Sequence, residues 1–401
     1  MDESVRPPGI GAGRCYFPAF DGIRAVAILA VFINHYSVLS YGHLGVSVFL
    51  VLSGFLITGV LLRSREQADK WKTFYMRRTL RIFPLYWGFW LVVVCLTGVL
   101  HVMWNRGNLL YLPYAGNMIW SFYGGRWGAP EAMVHLGFLP DAAGHARHFL
   151  LVGHFWTLAV EEQFYLFWPM LVFWPKRVET VLRLCVGTIV VVSLAKLGFA
   201  FWSPGFPSEM VRLTPLRCDE FAFGGVAATL VYLGKSGRLM RWSNWLVGVS
   251  LVGVVCACVV NSEFATKLGG ARWDFLVSLP VTDVLAVGLI VAGMAPRSIV
   301  ARGLSWKPFV RLGQISYGFY VFHDVGHALV SEYVDWQFTG ASQVVHDAAT
   351  ALIGFGVALG LAVLSFRYLE TPFLRLKDRW TAKVVVLEPV ILQVPEAAVV
   401  V

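Results

Sequence analysis

FDGIRAVAILAVFINHY, residues 20–36, is an apolar run with a guanidinium at its mouth and an imidazole eleven residues later. Between Arg24 and His35 the only polar side chain is Asn34. Continued to residue 41, the run is long enough to cross a hydrocarbon core of about 30 Å at 1.5 Å per helical residue. The pattern recurs, with apolar segments of spanning length at 22–41, 44–62, 84–103, 154–174, 180–200, 219–233, 244–261, 276–294, 312–334 and 345–368. The chain of 401 residues is 57% hydrophobic and 14% charged, with 16 Trp. A soluble domain carries about 25% charged residues to cover its surface, and tryptophan gathers at membrane interfaces. The fold class read from this is all-α: a polytopic membrane protein of about ten transmembrane helices.

Ten spans put both ends on one side, and charge selects the side. With the termini inside, the cytoplasmic segments hold 24 Lys and Arg, seven of them in residues 63–83, against 7 in the opposite loops. Both termini are therefore placed in the cytoplasm. Residues 1–19 read as an N-terminal tail, 20–372 as the transmembrane domain and 373–401 as a C-terminal tail, whose apolar end is broken by Pro389 and Pro395. The first apolar run follows about twenty mixed residues and lacks a small-residue cleavage site, so it reads as a retained helix. The net charge of +9 is a topology signal with some attraction to anionic headgroups, and does not point to nucleic acid. The six cysteines show no metal or disulfide-framework spacing.

An ionisable side chain in hydrocarbon costs several kcal/mol, so each is a functional candidate. Arg24 and His35 are about 16 Å apart along a helix axis and about 20° apart around it, so they share a face. HFWTLAVEEQFYLFWP, residues 154–169, places Glu161 and Glu162 about 10–12 Å into a second helix that enters from the outside. That depth is similar to that of His35, and adjacent helical residues diverge by about 100°, so only one of the pair can face the imidazole. Such a carboxylate would set the tautomer and raise its basicity.

FYMRRTLRIFP, residues 74–84, carries Arg77, Arg78 and Arg81 on the cytoplasmic side. A guanidinium cluster suits phosphate, which it grips bidentately. Arg77 and Arg81, four apart, are expected on one face. Arg217, Asp219 and Glu220 stand at the outer mouth of the sixth span, placed to pair or to touch a polar substrate. Lys196 and Asp283, near the ends of their spans, are expected to reach toward headgroups. ISYGFYVFHDVGHALV, residues 315–330, places His323 and His327 four apart with Asp324 beside the first. No HExxH and no third ligand accompany them, so no metal is expected.

Five stretches, FDGIRAVAILAVFINHY, GVSVFLVLSGFLITGVLL, FYMRRTLRIFPLYW, HFWTLAVEEQFYLFWP and ISYGFYVFHDVGHALV, together resemble the acyltransferase 3 family of integral-membrane O-acyltransferases, in family order over roughly residues 18–372. Phe20 and Thr157-Leu158-Ala159 depart mildly from the family pattern without removing an ionisable group. The resemblance implies transfer of an acyl group, acetyl above all, from cytoplasmic acyl-CoA to a hydroxyl of a polysaccharide, glycolipid or other acceptor, often at the outer face. It implies residence in a bacterial inner membrane, with acyl-CoA as donor substrate and no permanently bound cofactor. Carried onto this chain, it makes Arg24 and His35 essential, with Arg24, Arg77, Arg78 and Arg81 on the donor and His35, Glu161 and Glu162 at the chemistry. Arg217, Asp219 and His323 are assigned to substrate. His35 then either takes the acceptor proton or carries the acyl group as an acyl-His intermediate. Two other classes stay open: a proton-coupled secondary transporter using His35 and the Glu pair as a relay, and a lipid-binding scaffold without turnover.

Overall fold

The computed structural model describes residues 16–36, 41–98, 104, 106–118, 152–202, 212–268, 270–295, 297–337 and 342–380. Both predicted tails beyond these bounds, Cys15 and most of the 104–153 stretch lie outside the described residues. Twelve helices of eight residues or more are described: α1 (Pro18–His35), α2 (Leu44–Ser64), α3 (Lys70–Cys95), α4 (Trp156–Phe173), α5 (Val178–Trp202), α6 (Cys218–Tyr232), α7 (Ser243–Leu268), α8 (Leu279–Met294), α9 (Lys307–Gln314), α10 (Ser316–Gln337), α11 (Gln343–Ser365) and α12 (Thr371–Trp380). Among the described residues there is no strand.

Each of the ten predicted segments contains a helix, and among the described residues seven helices are long and apolar enough to cross a membrane, which makes this a multi-pass membrane protein. The three outside that set have identifiable causes. Helix α6 has only 15 residues, whereas α4 and α10 carry the ionisable residues Glu161, Glu162, His323 and Asp324. Two boundaries differ from the sequence expectation. Helix α1 ends at His35 instead of continuing to 41, and α3 begins at Lys70, so the arginines expected ahead of the third span lie within its helix.

The apolar residues divide by what they face. Ile28, Val31, Leu50, Ile57, Leu61, Leu85, Phe155, Val160 and Phe319 are buried in one cluster joining α1–α4 and α10. Leu91, Val191, Leu194, Val249, Val252 and Leu352 stand outward on α3, α5, α7 and α11. Helices apolar on both faces suit a lipid surround, since outward leucine and valine lose nothing there. Helices α2 and α6 cross closely. A Cβ on Gly54 would run into the backbone of Phe221, and one on Gly224 into the carbonyl of Val51, so glycine at both positions permits the contact. In the same way Gly313 of α9 lies against the carbonyl of Asp21, which brings the end of α9 to the start of α1.

Candidate active site

A cavity of about 430 Å³ lies among α1, α2, α3, α4 and α10, within the range of about 300–1,000 Å³ typical of ligand pockets. Arg24, Arg78 and Arg81 bring three guanidiniums to its wall, together with Tyr16, Ser53, Glu161 and Tyr165. Asp21 holds Arg24 through Oδ1 at 2.7 Å, and its Oδ2 accepts from the Tyr16 hydroxyl, also at 2.7 Å. Gln314 at the end of α9 donates to the same hydroxyl at 3.2 Å. Burial and the adjacent Asp21 push the Tyr16 hydroxyl up to about 12, so it stays protonated as the donor to that carboxylate. Arg78 lies over the ring of Tyr165, 4.9 Å from its centroid, a cation–π contact that fixes the guanidinium plane.

Toward the other end of α1 the lining includes Thr157 and Tyr320. Their hydroxyls are 2.5 Å apart, and Tyr320 donates to the carbonyl of His154 at 2.7 Å. Beyond them three imidazoles surround one carboxylate. His35 Nδ1 is 3.1 Å from Asp324 Oδ1, and His154 Nδ1 is 2.8 Å from Asp324 Oδ2. His323 packs between, with ring centroids 4.7 Å from His35 and 4.6 Å from His154. A carboxylate only accepts, so His35 carries its proton on Nδ1 and presents a lone pair at Nε2. The His35 side chain keeps 32% of its surface exposed, against 10% for Asp324 and 2% for His154. The reachable member is His35, whose lone pair lies at Nε2.

Helix geometry explains how the cavity wall comes to lie beside this cluster. Tyr320 stands one turn before His323 and Asp324 on α10, and Thr157 one turn after His154 at the start of α4. A guanidinium-lined cavity is thus joined to an oriented imidazole through two hydroxyls. That arrangement can hold a phosphate-bearing ligand at one end and do general-base chemistry at the other.

The sequence-predicted residues fall into three groups. Arg24, Arg78 and Arg81 meet in the cavity, whereas Arg77 is not among its lining residues. Arg77 and Arg81, four apart in α3, keep their shared face, while the cavity is lined by Arg81 and by Arg78 three residues before it. His35 and His323 meet at the cluster. The Glu pair does not partner His35 as expected. Glu161 accepts from Ser53 Oγ at 2.7 Å inside the cavity, and Glu162 turns toward Tyr86 and Tyr114. The reason is axial. Because α1 stops at His35, the imidazole sits level with the first turn of α4, so His154 meets it while Glu161 lies about 10 Å further along. Asp324 supplies the carboxylate, and sequence reasoning passed over it and His154. The only available signal was their place inside two motif stretches, beside residues already singled out.

Arg217 and Asp219 form a separate buried, ion-paired centre away from the cavity lining. Lys196 pairs with Asp219 at 2.5 Å, and Arg217 pairs with Glu220. All four are at most 2% exposed, as is Asp283, whose carboxylate oxygens have no hydrogen-bond partner among the described residues. Lys196 and Asp283 therefore do not reach toward headgroups. The Lys196 ammonium lies 5.0 Å over the Phe275 ring and the Arg217 guanidinium 5.2 Å over Trp156. The cluster ties α5 to α6 inside the bundle.

Residues 17–367 match the family model described as an acyltransferase domain. The chain is 28% identical over 379 residues to the peptidoglycan O-acetyltransferase OatA of Listeria monocytogenes, covering 90% of this chain and 56% of that protein. It is 27% identical over 370 residues to the O-acetyltransferase OatA of Staphylococcus aureus, covering 89% of this chain and 57% of that one. The chain thus spans little more than half the length of these curated relatives. No solved structure matches it.

Proposed function

The chain belongs to the acyltransferase-domain family, and from that premise we propose that it is a membrane-embedded O-acetyltransferase of the bacterial envelope. The donor is a phosphate-bearing acyl thioester, acetyl-CoA, entering from the cytoplasm. The acceptor is a hydroxyl of an extracytoplasmic carbohydrate, a choice supported by the peptidoglycan named for the Listeria relative. Ten spans with both termini inside fit this reading, since the Lys and Arg asymmetry then puts the start of α1 with Arg24, and the start of α3 with Arg78 and Arg81, on the cytoplasmic side. The family match gives no support to the transporter alternative.

The observation that carries the proposal is the cavity with three guanidiniums at its wall and the Tyr320–Thr157 pair beside the His35–Asp324 cluster. Arg24, Arg78 and Arg81 hold the donor's phosphates. His35 Nε2 takes the proton of the acceptor hydroxyl as its oxygen attacks the thioester carbonyl, and Asp324 stabilises the imidazolium that results. Collapse of the tetrahedral adduct breaks the C–S bond, and the imidazolium returns the proton to the departing thiolate. The products are the O-acetyl ester and the free thiol.

The test is transfer of radiolabelled acetyl from acetyl-CoA to muropeptide acceptors by purified protein in nanodiscs. His35→Ala should lower turnover by about 10²–10⁴, the usual worth of a positioned general base, with thermal unfolding unchanged. Wild-type protein that binds acetyl-CoA but acetylates no carbohydrate would overturn the acceptor assignment. A fully active His35→Ala protein would overturn the base.

A further inference from the structure

We propose that His35, His323 and Asp324 form a binding site for a divalent transition-metal ion of the zinc class, and that occupancy switches the enzyme off. The nitrogen and oxygen atoms these residues offer all lie within 4.8 Å of one another. Two of the three separations are 3.1 Å, His35 Nδ1 to Asp324 Oδ1, and 3.6 Å, His323 Nε2 to Asp324 Oδ1. Ligands at about 2.0–2.1 Å from a tetrahedral zinc stand about 3.4 Å apart, so both edges are already near the required length.

The protonation pattern of His323 points the same way. Its Nδ1 is 2.6 Å from the carbonyl of Tyr320, which can only accept, so Nδ1 carries the proton. Nε2 then presents a lone pair. It is fully buried, has no hydrogen-bond partner among the described residues and faces a carboxylate oxygen across 3.6 Å. Two lone pairs opposed in a low-dielectric interior are a conflict that a cation between them removes. The surroundings also match those of metal ligands, whose outer groups are held by further hydrogen bonds. Tyr320 fixes His323 through its carbonyl, and His154 Nδ1 fixes the far oxygen of Asp324 at 2.8 Å.

Two imidazoles and one carboxylate suit zinc, cobalt or copper; magnesium and calcium take oxygen ligands. Entry is from the side of His35, the ligand with 32% of its surface exposed, which leaves the fourth position open. His327, the partner that sequence spacing offers to His323, packs instead on Tyr36, with ring centroids 4.9 Å apart. The third ligand comes from α1. When His35 binds the metal through Nδ1, its proton moves to Nε2, which becomes a donor and no longer a base. The inhibition clause rests on the proposed acetyl transfer; the binding clause does not.

The experiment titrates Co²⁺ into purified, chelator-treated protein in nanodiscs and follows the visible ligand-field bands of tetrahedral cobalt, with Zn²⁺ displacing them. We expect one saturable site, lost in His323→Ala and in His35→Ala and kept in His327→Ala. His154→Gln should weaken binding by about 10–100-fold, the usual cost of losing an outer-shell partner. Absent bands, or bands unchanged in both ligand variants, overturn the site; because two helices each supply a variant, failure of one to fold leaves the other decisive. In the acetyl-transfer assay Zn²⁺ should inhibit wild type and a chelator should restore it. Binding without inhibition overturns the switch and, separately, the assignment of His35 Nε2 as base.

Discussion

Replacing Asp324 with asparagine keeps the side chain's shape and removes its charge, and the structure sets the size of the effect. Asp324 accepts from two imidazoles at once, His35 at 3.1 Å and His154 at 2.8 Å. An asparagine has one acceptor oxygen, so its amide must face one of the two Nδ1 atoms. That histidine can keep the contact only by moving its proton to Nε2. If His35 does so, its base is gone. If His154 does so, His35 keeps its tautomer and loses the anion that stabilises its imidazolium. Two unit charges about 4 Å apart at an effective dielectric of about 20 interact by about 4 kcal/mol, and about 1.4 kcal/mol is a factor of ten in rate. Both routes therefore lead to a loss of about 10³ in kcat. The donor's phosphates bind at the other end of the cavity, so KM for acetyl-CoA should stay within about twofold. The assay is steady-state transfer by purified Asp324→Asn protein whose thermal unfolding is compared with wild type. A kcat within tenfold of wild type, or a loss appearing mainly in KM, would refute the His35–Asp324 reasoning.

Arg24→Gln, Arg78→Gln and Arg81→Gln should each raise KM for acetyl-CoA, whereas Arg77→Gln should not; donor titrations at normal protein level decide this, and equal effects at all four positions would reduce the cluster to a topology signal. Lys196→Met leaves Asp219 buried without its cation at 2.5 Å, a loss typically worth about 3–5 kcal/mol. It should lower thermal unfolding sharply, and adding Asp219→Leu should recover most of the loss. A cysteine placed at Glu66, which is 92% exposed, should react with an impermeant thiol reagent only in opened cells, and one between residues 119 and 151 in intact cells; the reverse pattern would invert both the map and the donor's side.

What the sequence determined by itself is what one helix contains. Apolar runs of spanning length become helices because a backbone without water must satisfy its own hydrogen bonds, and each of the ten predicted segments contains a helix. The spacing of Arg24 and His35 fixes a shared face because residues within a helix keep a constant rotation and rise, and Arg24 and His35 do stand at the two ends of the site. What only the tertiary structure decided is how separate helices align along their axes. Moving the end of α1 from residue 41 to His35 exchanges Glu161 of α4 for His154, in the turn just before α4, as the residue level with the imidazole, and it lets Asp324 of α10 become the shared carboxylate. The same holds where Lys196 of α5 and Asp219 of α6 turn inward to pair: each would reach headgroups on an isolated helix, and only a neighbouring helix with the opposite charge makes burial favourable. Periodicity carries rotation and rise within one helix; the offset between two is set by packing, by close approaches such as Gly54 with Gly224, and by where each helix stops.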